Sequence, residues 1–218
     1  MNDIFSYVKN NYKTLRVRKI KLSKGVVLCH EGEPANSVFL IAKGFLRVVK
    51  STPKGNELVI SEIGSGDTAG EMGVFLEDRR RTATLISKTD CEIWELDSES
   101  FLKILEQNHN LYLSLLKEIS ERMRYTNEKI IDFFELEALG RAAKTILRIA
   151  ERESQKSQYK EDYISISLNV ADMSREVGVS RETISRCLKR MRREGALLKV
   201  RKKTFKASIP KLKKFLEQ

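Results

Sequence analysis

Residues 110–137, NLYLSLLKEISERMRYTNEKIIDFFELE, contain neither glycine nor proline, so nothing inside the stretch interrupts a helix. Apolar residues recur in it at alternating steps of four and three: Tyr112, Leu116, Ile119, Met123, Ile130 and Phe133. A seam of that period, kept for about three heptads, predicts a helix that pairs with a second copy of itself. One place in the seam is polar, Thr126, and Asn127 follows it. A second stripe, Leu111, Leu115, Ile131 and Phe134, offers another face for burial against the helix's own domain. The chain thus divides into a part before this helix and a part after it.

Charge divides the same way. The net charge is +11, from 41 Lys and Arg against 30 Asp and Glu. Residues 138–218 hold 21 of the basic and 9 of the acidic residues, which leaves 20 against 21 for residues 1–137. All the excess positive charge lies in the last third, and segregation of that degree points to a polyanion partner. No run approaches the ~18 apolar residues that a membrane helix needs, and residues 1–10 lack a signal-peptide core, so a cytoplasmic protein with no membrane partner is expected. Cys29, Cys91 and Cys187 are scattered and form no CxxC, which argues for a reducing compartment and against a disulfide framework, a metal site or an iron–sulfur cluster.

Before the long helix, residues 1–17 read as one or two helical turns with Ile4, Phe5, Val8 and Leu15 as core candidates. The runs VVLCH, SVFLIA, FLRVVKS, ELVISEI, TATLIS and EIWEL then alternate with Gly25, Gly32, Gly44, Gly55, Gly64 and Gly66. Many short strands separated by glycines predict an antiparallel sandwich or barrel. Asp97 and Ser98 start a helix with Phe101, Leu102 and Leu105 on its apolar face. Gly140 is the expected end of the long helix, a hinge, or a short break before residues 141–152, and residues 153–162 read as a surface loop. A hairpin over 196–209 and an amphipathic tail with Leu212, Phe215 and Leu216 close the chain.

One stretch among the strands differs from the others, residues 69–84, AGEMGVFLEDRRRTAT. Gly70 and Glu71 precede a short helical segment starting at Met72, and Arg81 and Thr82 stand ten residues later at the head of a strand. Free N–H groups at a helix start attract an anion, and Gly70 and Gly73 would let it come close. Arg81 can fork onto a phosphate and the Thr82 hydroxyl can donate to it, whereas the Glu71 carboxylate suits a sugar hydroxyl. The spacing equally fits a surface loop in which Glu71, Glu77 and Asp78 pair with residues 79–81. Cys29-His30 reads as an inert thiol beside a surface histidine, not as a haem or metal pair, and His109 as a cap or surface histidine.

Residues 169–191 read as helix, tight turn, helix, with Gly178 in the turn and Ser180 capping the second helix. Met173, Val177, Ile184 and Leu188 are spaced to lock the two helices together. That leaves Arg181, Glu182, Ser185, Arg186 and Lys189 on the outer face. Arginine pairs with guanine O6 and N7, and glutamate accepts from cytosine N4. A carboxylate is repelled by phosphates, so Glu182 suits base reading and not nonspecific binding. Lys199, Arg201, Lys202, Lys203 and Lys206 in the hairpin would grip phosphates.

Taken together, these motifs resemble the bacterial cAMP receptor protein/FNR family of transcription factors over nearly the whole chain. Gly70-Glu71-Met72 and Arg81-Thr82-Ala83 look like the G-E-[LIM]…R-[ST]-A pattern of its phosphate-binding cassette, and residues 180–186, SRETISR, look like its recognition helix. The resemblance implies an α+β fold: a cyclic-nucleotide-binding-type β jelly roll over residues 1–109, a dimerisation helix over 110–137, and a winged helix-turn-helix over 138–218. It implies cAMP or cGMP as effector, with Gly70 and Glu71 at the ribose, Met72 beside them in the effector site, Arg81 and Thr82 at the cyclic phosphate, and Thr126-Asn127 at the base. The family's cAMP receptor has Thr-Ser where this chain has Thr126-Asn127, and the change bears on which ligand is taken. Thr126 equally suits a polar seam residue that sets helix register. The resemblance further implies a homodimer, a palindromic double-stranded DNA operator with TGTGA-like half-sites read by Arg181, Glu182 and Arg186, and RNA polymerase as a partner. No metal, haem or iron–sulfur cluster is expected, and no catalytic constellation is present. A constitutive DNA binder whose pocket is vestigial or takes another ligand is the alternative.

Overall fold

The computed structural model describes residues 3–52, 57–154, 163–201 and 203–217. The chain forms two compact units, residues 1–127 and 128–218, and the boundary falls inside the long helix. Gly55, most of the 153–162 stretch and Lys202 lie outside the described residues.

The first unit opens with α1 (Asp3–Asn11), whose Ile4, Phe5 and Val8 are buried as expected, with Leu15 partly so. Eight strands follow among the described residues: β1 (Val17–Leu22), β2 (Val27–Cys29), β3 (Ser37–Lys43), β4 (Phe45–Ser51), β5 (Glu57–Gly64), β6 (Thr68–Ala69), β7 (Thr84–Ser87) and β8 (Cys91–Asp97), with the short helix α2 (Met72–Phe75) between β6 and β7. They form two antiparallel four-stranded sheets, ordered β1-β8-β3-β6 and β2-β7-β4-β5. Strand β3 is buried on both faces, which explains its unbroken apolar run. Phe39 and Ile41 point between the sheets with Leu46, Ile63, Leu85 and Ile93. Val38 and Leu40 point the other way, to Trp94 and Leu96 and the helices. Those helices are α1, α3 (Ser98–Gln107), capped by the Asp97 side chain on Ser100 N, and the start of α4 (His109–Glu135). Strand β1 was not foreseen because it is an edge strand carrying Arg18, Lys19 and Lys21, charges that mask its alternation.

Helix α4 is unbroken for 27 residues. Leu111 and Leu115 are buried in the first unit's core, and Ile119 packs partly against it. The other seam residues, Tyr112, Leu116, Met123, Ile130 and Phe133, are exposed. The second stripe does not hold along the helix: Ile131 and Phe134 are 58% and 88% exposed. The second unit builds its core without them, around α5.

That helix, α5 (Ala138–Ser154), supplies Ala142, Ala143, Ile146, Leu147 and Ala150 to the core of the second unit. Against it pack β9 (Ile164–Ser167), α6 (Val170–Val177), α7 (Arg181–Arg193), β10 (Leu197–Lys199), β11 (Thr204–Ala207) and α8 (Ile209–Lys213), the strands forming an antiparallel sheet in the order β10-β11-β9. The expectation for Gly140 is corrected. Helix α4 ends at Glu135, and Gly140 sits buried in the first turn of α5. A Cβ there would lie 3.2 Å from the Phe215 carbonyl, so close packing of the C-terminal segment, not helix termination, calls for glycine. Helix α5 also continues through Glu153 and Ser154, where a loop was expected.

Candidate effector pocket and DNA-reading surface

The cassette lies where β6 gives way to α2. Gly70 turns the backbone at φ +76°, and a Cβ on it would stand 2.4 Å from Arg81 Nη1, so both conformation and space demand glycine. Glu71 follows, fully buried at 0% exposure, while Met72 beside it is exposed. Gly73 does not open the site to an anion as its spacing suggested. It is buried in packing, where a Cβ would meet the Arg80 carbonyl at 2.3 Å.

The partner of Glu71 comes from α4. Arg122 Nη2 lies 2.8 Å from Glu71 Oε1 and 3.1 Å from Glu118 Oε1, and that same Glu118 oxygen accepts from Thr68 N at 2.9 Å. One guanidinium is therefore shared by two carboxylates, and one carboxylate ties α4 to strand β6. Burial pushes the Glu71 carboxyl up from its ordinary range, against the pull of Arg122. Burial likewise pushes Glu118 up to about 7, with Glu71 and Asp67 adding to the rise and Arg122 and the Thr68 N–H opposing it.

Arg81 is 6% exposed and points into the unit. Its Nη1 donates to the Ser37 carbonyl at 2.7 Å and the Gly70 carbonyl at 3.1 Å, and its Nη2 donates to Ser37 Oγ at 2.9 Å. The guanidinium stacks on Phe39, 4.6 Å from the ring centroid. Gly70, Glu71 and Arg81 thus converge as their spacing suggested. The surface-loop reading fails for Glu71 and Arg81, which are buried. Thr82 is partly buried, and its carbonyl accepts from Lys50 Nζ at 3.0 Å. Thr126 spends its hydroxyl on the Arg122 carbonyl one turn back, at 3.0 Å, and Asn127 is exposed.

Among the described residues, the buried side-chain polar atoms without a hydrogen-bond partner are Thr68 Oγ1, both Glu71 oxygens, Arg81 Nε and Arg122 Nε. Arg122 comes within ion-pairing distance of Glu71 without a well-aligned N–H···O line. Each such atom costs about 1–3 kcal/mol, and here all of them gather on four residues of one cluster. That concentration fits a site built for a polar ligand. Thr68, Glu118 and Arg122 were missed from the sequence. Glu118 and Arg122 form an ordinary i,i+4 acid–base pair, which on sequence alone reads as solvated surface.

In the second unit, Asn169 Oδ1 caps α6 through Ala171 N, Gly178 ends it in the left-handed region at φ +73°, and Ser180 Oγ caps α7 through Thr183 N. Met173, Val177, Ile184 and Leu188 are buried as expected, joined by Cys187 and Met191. Arg181, Glu182, Ser185, Arg186 and Lys189 are all exposed. Arg186 Nη2 rests on Thr183 Oγ1 at 3.1 Å, and Ser185 Oγ donates to the Arg181 carbonyl at 2.9 Å. The backbone N–H of Glu182 and the Ser180 hydroxyl hold the Glu182 carboxyl below its ordinary range. This favours an anion at the helix start. Lys199, Arg201, Lys203 and Lys206 are exposed on the hairpin, whose turn closes through Val200 N and Arg201 N on the Thr204 carbonyl.

Behind α6, Glu176 Oε1 lies 2.9 Å from Lys129 Nζ and also pairs with Arg148. Burial pushes its carboxyl up, but the two cations together hold it below its ordinary range. Elsewhere, Cys29 is buried in β2 beside an exposed His30, and His109 is the exposed first residue of α4. Among the described residues, no group of three or more His, Cys, Asp or Glu could hold a metal ion, and no helix is long and apolar enough to cross a membrane.

Comparison with known proteins agrees with both halves. Residues 19–108 match the cyclic nucleotide-binding domain family, and residues 140–215 match the Crp-like helix-turn-helix domain family. The chain is 32% identical, over 162 residues, to the cAMP-activated global transcriptional regulator CRP of Salmonella typhimurium, covering 74% of this chain and 76% of that one. The chain belongs to the CRP/FNR family of transcription regulators. It is also 28% identical over 180 residues to the cAMP-activated global transcriptional regulator Vfr of Pseudomonas aeruginosa, covering 81% of this chain and 83% of that one. Its fold matches the c-di-GMP responsive global regulator CLP of Xanthomonas campestris at a TM-score of 0.81 and 22% identity, over 93% of this chain and 99% of that one. This CRP/FNR protein is thus a DNA-binding transcription regulator, like its relatives, and not an enzyme.

Proposed function

We propose that this regulator is a homodimer gated by a cyclic nucleotide that binds at Gly70, Glu71 and Arg81, and that it reads a palindrome of TGTGA-like half-sites. The observation that carries the effector reading is one cluster of buried polar atoms without a hydrogen bond, on Thr68, Glu71, Arg81 and Arg122, in which Glu71 is held by its ion pair with Arg122. In this reading a ribose hydroxyl donates to Glu71, and the phosphate takes the free Nε of Arg81 together with the Thr82 hydroxyl. Because Glu118 and Arg122 stand on α4, a ligand that engages Glu71 acts directly on that helix. It can shift the active state only by its differential affinity for the two states.

The dimer reading rests on the exposed seam of Tyr112, Leu116, Met123, Ile130 and Phe133, with Ile119 partly buried beside it. Two copies joined there would present two recognition helices to successive major grooves, ~34 Å apart on DNA. Arg181, Glu182 and Arg186 would read bases, Ser185 and Lys189 would flank them, and Lys203 and its neighbour Lys202 would grip phosphate. RNA polymerase is the partner through which such a regulator acts, and the cytoplasm its place.

A thermal-shift titration of the full-length protein with cAMP and cGMP tests the effector, and a rise in Tm with one of them is expected. No shift with either sinks the cyclic mononucleotide reading. A parallel titration with c-di-GMP tests another ligand, the one to which the structurally similar CLP of Xanthomonas campestris is responsive. Two features favour a second reading, a different or vestigial effector: Arg81 already commits both terminal nitrogens to Ser37 and Gly70, and Asn127 stands where the family's cAMP receptor has serine.

A further inference from the structure

We propose that Glu118 takes up a proton when an anionic effector binds beside Glu71, so that this regulator senses effector and pH jointly through one side-chain cluster. The inference rests on the effector site proposed above and adds to it a residue and a linked ligand, the proton.

The geometry is that of one cation between two acids. Arg122 Nη2 serves Glu71 at 2.8 Å and Glu118 at 3.1 Å, and both carboxylates are buried or nearly so, with side-chain exposures of 0% and 13%. The largest charged influences on Glu118 are Arg122 on its own helix, Glu71 at the start of α2, and Asp67 ahead of β6, while Arg81 acts on Glu71. Two carboxylates with one shared guanidinium leave a negative excess in a poorly solvated place, and Asp67 deepens it. Arg81 is turned toward Ser37 and Gly70. A phosphate held at Arg81 and Thr82 adds a negative charge on the Glu71 side of the cluster, and like charge disfavours the ionised form of the Glu118 carboxylate. The least costly answer is a proton from solvent onto Glu118.

The hydrogen bonds permit this without dismantling the site. Oε1 of Glu118 accepts from Thr68 N at 2.9 Å, and a protonated carboxyl still has an oxygen that accepts this bond. The tie from α4 to β6 therefore survives, while the claim of Glu118 on Arg122 weakens. Arg122 is then released to Glu71 and the ligand. Burial has already brought Glu118 to about 7, so the group stands near half-protonation at neutral pH and has capacity left to take up a proton. By linkage, an effector that raises this carboxyl further binds more tightly as pH falls.

Isothermal titration of the full-length protein with cAMP and with cGMP, at pH 7 in two buffers of different ionisation enthalpy, counts the protons. Uptake of up to about half a proton is expected, with affinity weakening roughly threefold per pH unit above neutrality. In E118Q the uptake and the pH slope should both vanish. Histidine is the residue type that ordinarily titrates near neutrality, so the H30Q/H109Q double variant is the control, and it should keep the uptake. Binding without uptake, uptake that persists in E118Q, or uptake lost in the double histidine variant each overturns the proton role while leaving the effector site standing. No heat with either nucleotide at any pH overturns the effector reading, and the coupling with it.

Discussion

Replacing Glu118 by Gln should change how the first unit's stability depends on pH, whatever ligand the regulator takes. The Glu118 carboxyl is raised from 4.5 to about 7, chiefly by burial. The sign follows from the raised value. The folded state holds this proton more tightly than the unfolded chain, so the associated stability is fully present below about 4.5 and is lost as pH rises through about 7. At 1.36 kcal/mol per pKa unit, the loss between pH 5 and pH 8 amounts to about 2–3 kcal/mol. Glutamine keeps an oxygen for Thr68 N but cannot ionise, and it leaves Arg122 to Glu71 alone, so most of that loss should disappear. Trp94, the chain's one tryptophan, is 7% exposed in the core of this same unit, which makes its fluorescence the readout. Urea titrations at pH 5, 6, 7 and 8 should show E118Q gaining on the parent protein as pH rises, by about 2–3 kcal/mol at the top of the range. Parallel pH profiles for the two proteins would refute the buried, shared-arginine account of this cluster.

Ala at Arg181 or Glu182 should weaken binding to a specific operator by about 1–3 kcal/mol and leave random DNA nearly unaffected, as measured by fluorescence anisotropy; equal losses on both would remove the base-reading role. Glu176→Ala takes away the carboxylate on which Lys129 and Arg148 converge and should destabilise the second unit by about 3 kcal/mol in urea unfolding followed by circular dichroism. Because the Glu176 carboxyl is lowered in the folded protein, its contribution is present above the ordinary carboxylate range and is lost as pH falls through its folded value. The difference between parent and variant should therefore shrink in acid. The M123D/I130D double variant puts two charges on the exposed α4 seam and should yield monomers in sedimentation velocity; an unchanged sedimentation coefficient would move the dimer interface elsewhere.

Much of this regulator is legible in its sequence, wherever the signal is local. The turn at Gly178, the Ser180 cap and the apolar spacing of Met173, Val177, Ile184 and Leu188 lie within a few residues of one another. The helix-turn-helix and its outward face could therefore be read directly. The strand-and-glycine rhythm indicated the sandwich, and the resemblance of residues 69–84 to the family's motif indicated the cassette. Features that depend on a distant partner stayed hidden. Strand β9 counts as a strand because β11 pairs with it, and β6 is two residues long and recognisable only beside β3. Gly140 looked like a helix stop until the Phe215 carbonyl came to lie against it. Ile131 and Phe134 looked like core until α5 took that role.

The site divides along the same line. Sequence by itself marked Gly70, Glu71 and Arg81 as candidates for one site through their likeness to the family's cassette, while their spacing alone fitted a surface loop as well. That Arg122 and Glu118 meet them, the latter bonded to Thr68 across 50 residues of chain, was decided by α4 packing its buried face on the jelly roll. The pairing energy of a buried charge depends on what folding brings beside it, and an i,i+4 pair carries no mark in sequence of whether water or a second carboxylate will be there.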